Sequence, residues 1–206
     1  AIVIGKTNLD QFATGLVGVR SPYGKPTSVF SEKHVSGGSS SGSAVAVGRG
    51  IVPLSLGTDT AGSGRVPAML NNLIGVKPSR GALSCSGVIP ACKSLDVVSI
   101  FALNLSDAQY AFNLLAKPDL ANDCYSRAMP ENPLFKFYSG PNQKIKIAIP
   151  ANMPWYGESE NPKLFSKAIS EFKTLENVEI STVDFTKLLD LAKCLYEGPW
   201  VAERYA

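Results

Sequence analysis

The chain has 206 residues, of which 45% are hydrophobic and 18% are charged, a balance typical of globular proteins. Its net charge of +3 comes from scattered Lys and Arg residues that form no basic stripe, and no apolar run approaches the roughly 18 residues of a membrane-spanning helix. We therefore expect neither nucleic acid nor a membrane as a partner.

Apolar periodicity and turn residues divide the chain into alternating short strands and helices. The predicted strands occupy residues 1–4, 51–56, 74–76, 144–149 and 178–185. The predicted helices occupy residues 9–13, 66–72, 106–116, 162–175 and 187–195, with one more starting at residue 43 and another at Pro199. Residues 15–43, 77–99 and 118–143 are rich in turn-forming residues, and we predict loops there. The alternation of strands and helices predicts an α/β protein.

The thiol and imidazole side chains limit the chemistry that the chain can support. The four cysteines, Cys85, Cys92, Cys124 and Cys194, form no Cys-x-x-Cys pair. We therefore expect no zinc site, and free, buried thiols in a reducing compartment, the cytoplasm. A Ser-His-Asp triad would have to use the single histidine, His34, which lies in a polar segment.

Two segments rich in Gly and Ser are the most informative part of the sequence. Residues 36–44 read Ser-Gly-Gly-Ser-Ser-Ser-Gly-Ser-Ala, and residues 57–67 read Gly-Thr-Asp-Thr-Ala-Gly-Ser-Gly-Arg-Val-Pro, so that Ser63 follows Ser39 by 24 residues. The small residues before Ser63 allow a tight turn whose N–H groups converge on one point, as an oxyanion hole requires. Each segment alone is common turn material, but the pair indicates a nucleophilic serine with a nearby activating group.

Four segments in order resemble motifs of the amidase signature family. They are residues 5–13 (Gly-Lys-Thr-Asn-Leu-Asp-Gln-Phe-Ala), 36–44, 57–67 and 75–81 (Gly-Val-Lys-Pro-Ser-Arg-Gly). The resemblance is strong from residue 1 to about residue 110. It implies a three-layer α/β/α fold with a mixed central sheet. Residues 1–206 would then be part of a single amidase signature domain, truncated at both ends.

The resemblance also implies a site that cleaves amides with two serines and a lysine. Ser63 would be the acylated nucleophile. Ser39, held by a cis peptide bond, would accept the proton of Ser63 and pass its own proton to a neutral lysine. The backbone N–H groups of Thr60, Ala61 and Gly62 would line the oxyanion hole.

The family's catalytic lysine lies upstream of the first motif, so we expect it outside this sequence. Lys6 and Lys77 lie in segments where the family also has lysine, but neither corresponds to the catalytic one. The 206 residues alone are therefore expected to be inactive.

Departures from the common family pattern narrow the expected substrate. The small residues on either side of the Gly62-Ser63 pair, together with residues 196–205, resemble the branch of the family that hydrolyses allophanate. In that branch a tyrosine and an arginine at the positions of Tyr196 and Arg204 hold the substrate. Allophanate, or urea-1-carboxylate, is a small planar anionic acylurea, and its carboxylate matches the two parallel donors of a guanidinium group.

The resemblance thus predicts the hydrolysis of allophanate to ammonia and carbon dioxide in urea degradation, with no metal or cofactor for this step. Biotin and ATP would serve only a urea carboxylase, fused to the chain or acting as its partner, and association into a homodimer is a further expectation. Two alternatives stay open. One is the glutamine-hydrolysing component of a tRNA-dependent amidotransferase, and the other is a non-catalytic fragment that lacks the lysine.

Overall fold

The structure, a computed structural model, describes residues 2–128 and 144–204. The chain divides into two compact units, the first formed by Ala1–Met129 with Pro199–Ala206 and the second by Pro130–Gly198. The strands are Thr27–Ser28 (β1), Ser31–Val35 (β2), Leu54–Thr58 (β3), Ile74–Val76 (β4), Val98–Ala102 (β5), Ile145–Pro150 (β6) and Val178–Val183 (β7). The helices are Ser41–Gly48 (α1), Arg65–Leu70 (α2), Leu105–Leu115 (α3), Glu160–Lys173 (α4), Thr186–Glu197 (α5) and Trp200–Glu203 (α6), and Gln11–Ala13 forms a short 3₁₀ turn.

The core of the first unit is built on strand β5. This strand lies between β3 and β4 and pairs with both in the antiparallel sense. Adjacent residues of β5 point to opposite faces, so Ile100 packs against Phe112 of α3, whereas Phe101 packs against Val47 of α1 and Ala68 of α2. Helices therefore cover both faces of the sheet at β5, and the predicted α/β class is confirmed.

Strand β5 was not predicted, because a strand that is buried on both faces lacks the alternation of polar and apolar residues. The hairpin of β1 and β2 lies inside the predicted loop at 15–43. The strand predicted at 51–56 begins later, at Leu54, and continues to Thr58. The strand predicted at 1–4 is wrong for its described residues, since residues 2–4 are exposed and pair with no described strand.

The second unit follows the sequence patterns closely. Strands β6 and β7 run parallel with α4 between them in the sequence, as parallel neighbours require a crossover connection. The predicted strands at 144–149 and 178–185 and the predicted helices at 162–175 and 187–195 are confirmed to within a few residues. Of the loop predicted at 118–143, residues 118–128 contain no helix or strand, and the remainder lies outside the described residues.

Candidate active site

The predicted nucleophile lies in a turn between strand β3 and helix α2, residues 59–64, which we call the nucleophile turn. Ser63 is buried, with 4% of its surface exposed. Gly62 has a φ of +125°, in the region that residues with a side chain rarely adopt. The turn therefore requires glycine at this position, immediately before the serine.

The carboxylate of Asp59 holds the nucleophile turn together. Its Oδ1 accepts the backbone N–H of Gly62 at 2.7 Å, and its Oδ2 accepts the backbone N–H groups of Gly64 at 3.0 Å and Arg65 at 3.1 Å. The Arg65 guanidinium completes this set through Nε to Oδ2 at 2.9 Å and Nη2 to Oδ1 at 3.0 Å. One fully buried carboxylate thus fixes the backbone on both sides of Ser63.

The same contacts set the charge state of Asp59. Burial alone would favour the neutral acid, but the hydrogen bonds from the Arg65 guanidinium and from the backbone of Gly62 and Gly64 outweigh it. The pKa of Asp59 consequently lies below its usual value. The hydrogen bond with Asp59 in turn raises the pKa of Arg65. Asp59 is therefore ionised at neutral pH, when its carboxylate can accept all five hydrogen bonds.

The second predicted serine lies just before helix α1. The peptide bond between Gly38 and Ser39 is cis, which confirms that expectation, and Ser39 is fully buried. The carbonyl of Ser39 accepts the backbone N–H of Asp10 at 2.9 Å, and the N–H of Gly38 donates to the carbonyl of Leu16 at 2.8 Å. The segment around residues 10–16 therefore holds the backbone on both sides of this peptide bond.

The fold brings the two serine segments together. The backbone N–H of Ser40 donates to the carbonyl of Ser63 at 3.4 Å. The hydroxyl of Ser40 donates to the carbonyl of Thr58 at 3.0 Å and accepts the N–H of Thr58 at 3.0 Å. Hydrogen bonds therefore join the segment that contains Ser39 directly to the segment that contains Ser63.

The predicted hydrogen bond between the two hydroxyl groups is not formed in this structure. Within the described residues, the buried Oγ of Ser39 has no hydrogen-bond partner. The Ser39 hydroxyl is thus one of two buried side-chain polar atoms of the described chain that lack a partner, the other being Ser99 Oγ.

The backbone donors of the nucleophile turn divide into two groups. The N–H of Gly62 is directed at Asp59. In the part of the chain that the structure describes, the N–H groups of Thr60 and Ala61 donate to no protein atom, and neither does the N–H of Ser63, which the sequence analysis did not single out. Among the three predicted oxyanion donors, Thr60 and Ala61 are therefore available and Gly62 is engaged.

This geometry can be compared with known proteins, and the whole of residues 1–206 matches the sequence profile described as Amidase. The chain belongs to the Amidase family. It is 69% identical over 205 residues to urea amidolyase from Lachancea kluyveri, a match that covers 100% of the chain and 11% of that relative. The chain therefore spans about a tenth of the length of that relative.

Two further matches show which members of the family the chain resembles. The solved structure of allophanate hydrolase from Kluyveromyces lactis superposes with a TM-score of 0.92 at 66% identity, over 100% of this chain and 33% of that one. A component of the glutamyl-tRNA(Gln) amidotransferase from Mycoplasma pneumoniae is 37% identical over 200 residues, covering 96% of the chain and 41% of the relative. The predicted amidase signature fold is confirmed.

The two residues that the sequence predicts to bind a substrate lie in different units. Arg204 belongs to the first unit, where its Nη2 donates a hydrogen bond to the carbonyl of Phe12. Tyr196 lies on α5 in the second unit, and 67% of its surface is exposed.

The other candidate groups of the sequence analysis take no part in the serine site. His34 is exposed on β2. The four thiols are free, as predicted, but only Cys92 is buried and Cys124 is exposed. Within residues 2–128 and 144–204, no three His, Cys, Asp or Glu side chains form a group that could hold a metal ion.

Two of the buried aspartates support the serine segments directly and were not predicted from the sequence. Asp59 holds the nucleophile turn, and Asp10 accepts the backbone N–H groups of Gly18 at 2.9 Å and Arg20 at 2.7 Å while its own N–H binds Ser39. An aspartate close to a glycine-rich segment could have indicated this role from the sequence. Its carboxylate readily accepts hydrogen bonds from nearby backbone N–H groups.

Proposed function

We propose that this chain carries the nucleophile of an allophanate hydrolase, the hydrolase part of a urea amidolyase. The identity of 69% with urea amidolyase is far above the 37% with the amidotransferase component. The structural match to allophanate hydrolase over 100% of the chain supports the same choice. Under this proposal residues 1–206 are part of one amidase signature domain that includes both compact units.

The observation that carries the chemistry is the fully buried hydroxyl of Ser39, which lies in the loop bonded to the Ser63 turn and has no hydrogen-bond partner within the described residues. Buried hydroxyl groups are nearly always hydrogen-bonded, so one without a partner calls for a functional explanation. We propose that Ser39 accepts the proton of Ser63 and passes its own proton to a neutral lysine that lies outside this sequence.

The proposed reaction begins when the Oγ of Ser63 forms a bond to the terminal amide carbonyl of allophanate. The N–H groups of Thr60 and Ala61 stabilise the oxyanion, with the N–H of Ser63 as a third donor, because the N–H of Gly62 is bound to Asp59. The proton taken from Ser63 returns through Ser39 to the leaving nitrogen, and ammonia departs. Water then cleaves the acyl-enzyme, with the same relay accepting its proton. No step requires a metal ion or a cofactor.

We assign substrate recognition to Arg204 and Tyr196, as the family resemblance implies. Arg204 uses one amino group to bind the carbonyl of Phe12, which fixes the orientation of its planar guanidinium. Its other donors would then bind the carboxylate of allophanate in the parallel geometry that arginine favours. The Tyr196 hydroxyl would orient the carbonyl or amide of the substrate.

The remainder of the protein is a proposal of the same kind. Because this chain covers only 11% of its urea amidolyase relative, we propose that a urea carboxylase, fused or as a partner, uses biotin and ATP to supply allophanate. We expect the protein to act in the cytoplasm and to form homodimers. In the described part of the chain, no helix is both long and apolar enough to cross a bilayer.

The test is ammonia release from allophanate by the complete protein. We expect Ser63→Ala to lower kcat by about 10³-fold or more, the usual scale for a lost nucleophile. Ser181→Ala, which alters an exposed serine of β7, should leave kcat unchanged. Equal ammonia release by wild type and Ser63→Ala would refute the assignment.

The two alternatives give different results in the same assay. The glutamine-hydrolysing component of an amidotransferase would release ammonia from glutamine rather than from allophanate. A non-catalytic protein would release it from neither, and Ser63 would not react with a serine-directed fluorophosphonate.

A further inference from the structure

The side chain of Thr60 is anchored outside the nucleophile turn. Its Oγ1 donates a hydrogen bond to Oδ1 of Asp96, a buried residue with 5% of its surface exposed. The same carboxylate accepts the backbone N–H groups of Ala91 at 2.8 Å and Cys92 at 3.0 Å. Asp96 therefore shapes its own loop, residues 91–96, and binds the turn that carries the oxyanion donors. We call residues 91–96 the bridging loop.

The bridging loop has a second attachment, to the segment that carries Arg204. The carboxylate of Glu203 accepts the backbone N–H of Ser94 at 2.8 Å and a further hydrogen bond from the Ser94 hydroxyl. The thiol of Cys92 donates to the same carboxylate at 3.5 Å. Glu203 is the last residue of α6, and Arg204 follows it directly. The position of Arg204 thus depends on the loop that also holds Thr60.

The two attachments concern the two places where an acylurea substrate would be bound. The N–H of Thr60 is a free donor of the nucleophile turn within the described structure, and Arg204 is the proposed partner of the substrate carboxylate. A substrate that is bound at both ends reacts efficiently only when both contacts can form at once in the correct geometry. Displacements of about 1 Å can cost roughly 10²-fold in rate. One short loop, hydrogen-bonded to both segments through a buried and a half-buried carboxylate, would keep the two contact points at a fixed separation.

We propose that the bridging loop is a positioning device with two ends. Asp96 positions the oxyanion donors through Thr60, and Glu203 positions Arg204 through Ser94. Neither carboxylate touches the substrate. The Glu203 end rests on the proposed function, whereas the Thr60 end requires only that Ser63 is a nucleophile.

The Thr60 end is tested by the rate at which a neutral fluorophosphonate labels Ser63 in the complete protein. This probe needs the oxyanion donors but has no carboxylate for Arg204. Thr60→Val keeps the shape of the side chain and removes the hydroxyl, and we expect it to slow labelling about tenfold, less than the 10²–10³ of losing an oxyanion donor. Thr60→Ser keeps the hydroxyl and should label within about twofold of wild type.

A merely structural role for Thr60 would lower the thermal midpoint without this difference between valine and serine. If Thr60→Val does not fold, Thr60→Ala provides the same comparison with a smaller side chain. Wild-type labelling rates in the folded variants that lack the hydroxyl would overturn the Thr60 end.

The Glu203 end is tested with allophanate. Glu203→Gln should raise KM about tenfold, the scale of one misplaced charge-assisted hydrogen bond, with kcat and the rate of Ser63 labelling within about twofold of wild type. An unchanged KM, or an equal loss in labelling, would overturn this end. If wild type releases no ammonia from allophanate, the proposed function fails together with the Glu203 end, whereas the labelling result for Thr60 stands by itself.

Discussion

The two compact units of this chain differ in what they bury. The first unit buries polar groups at its centre, including Asp10, Ser39, Asp59 and Asp96, each in a network of backbone contacts. In the described part of the second unit no residue is buried, although α4 and α5 are amphipathic helices. The buried polar side chains of the first unit are thus held in fixed positions by hydrogen bonds. The helices of the second unit instead have apolar faces that are accessible.

The comparison shows which unit holds the candidate active site in fixed geometry. Removing a charged group from water is costly unless several partners compensate, so each buried carboxylate of the first unit must have a set of donors in fixed positions. For Asp59 these donors are backbone N–H groups of the nucleophile turn that carries Ser63. For Asp10 they are the N–H groups of Gly18 and Arg20, while the N–H of Asp10 itself binds the carbonyl of Ser39. The buried carboxylates therefore hold the backbone around both serines.

The largest expected difference in stability concerns two phenylalanines. Phe101 is fully buried on β5, so Phe101→Ala should lower the free energy of unfolding by about 4 kcal/mol. Phe172 on α4 has 45% of its surface exposed, and Phe172→Ala should cost less than half as much. Urea denaturation of the complete protein measures both. An equal cost would show that the α4 face is covered in the complete protein and would break the comparison.

A smaller difference is expected between two aspartates that each pair with a cation. Asp59→Ala leaves the buried N–H groups of Gly62 and Gly64 without an acceptor, and we expect a loss of about 3 kcal/mol. Asp190 forms an exposed pair with Lys193 at 2.7 Å in the second unit, and Asp190→Ala should not change stability measurably. A result in which both variants are equally stable would contradict the role of Asp59 in the nucleophile turn.

The smallest expected effect is a dependence on pH. The pKa of Asp59 is lowered in the folded protein, so its contribution to stability is complete above the unfolded value of about 3.9 and is lost as the pH falls through the lower folded value. The difference in thermal midpoint between wild type and Asp59→Asn should therefore be constant near neutral pH and shrink below about pH 4. A difference in thermal midpoint that grows on acidification would contradict a lowered pKa of Asp59 in the folded protein.

The same contrast between the units explains what the sequence could predict. Periodicity located all four regular elements of the second unit, residues 144–198, that the structure describes, because each has one face that differs in polarity from the other. It failed for β5, which is buried on both faces, and for residues 2–4, whose apolar pattern has no described partner. Pairing depends on the partner as well as on the strand, and a pattern in one segment does not contain that information.

In the candidate active site, the sequence motifs indicated the serines and the backbone donors. They did not indicate the side chains that hold these groups in place. Thr60 and Ala61 have free N–H groups in the described structure, yet the hydrogen bond of Gly62 with Asp59 could not be read from the motif, because it depends on the fold of the turn. The contact between Asp96 and Thr60 joins residues that are distant in the sequence and was equally hidden. Short polar motifs identify chemistry, whereas the groups that position it come from tertiary structure.

We infer that Ser39 and Ser63 act together as one catalytic unit. The most direct test is peptide mass spectrometry of the complete protein after reaction with the fluorophosphonate. We expect the adduct on Ser63, and we expect Ser39→Ala to slow its formation by about 10²-fold or more at an unchanged thermal midpoint. An adduct on another serine, or labelling of Ser63 at the wild-type rate in Ser39→Ala, would contradict the account.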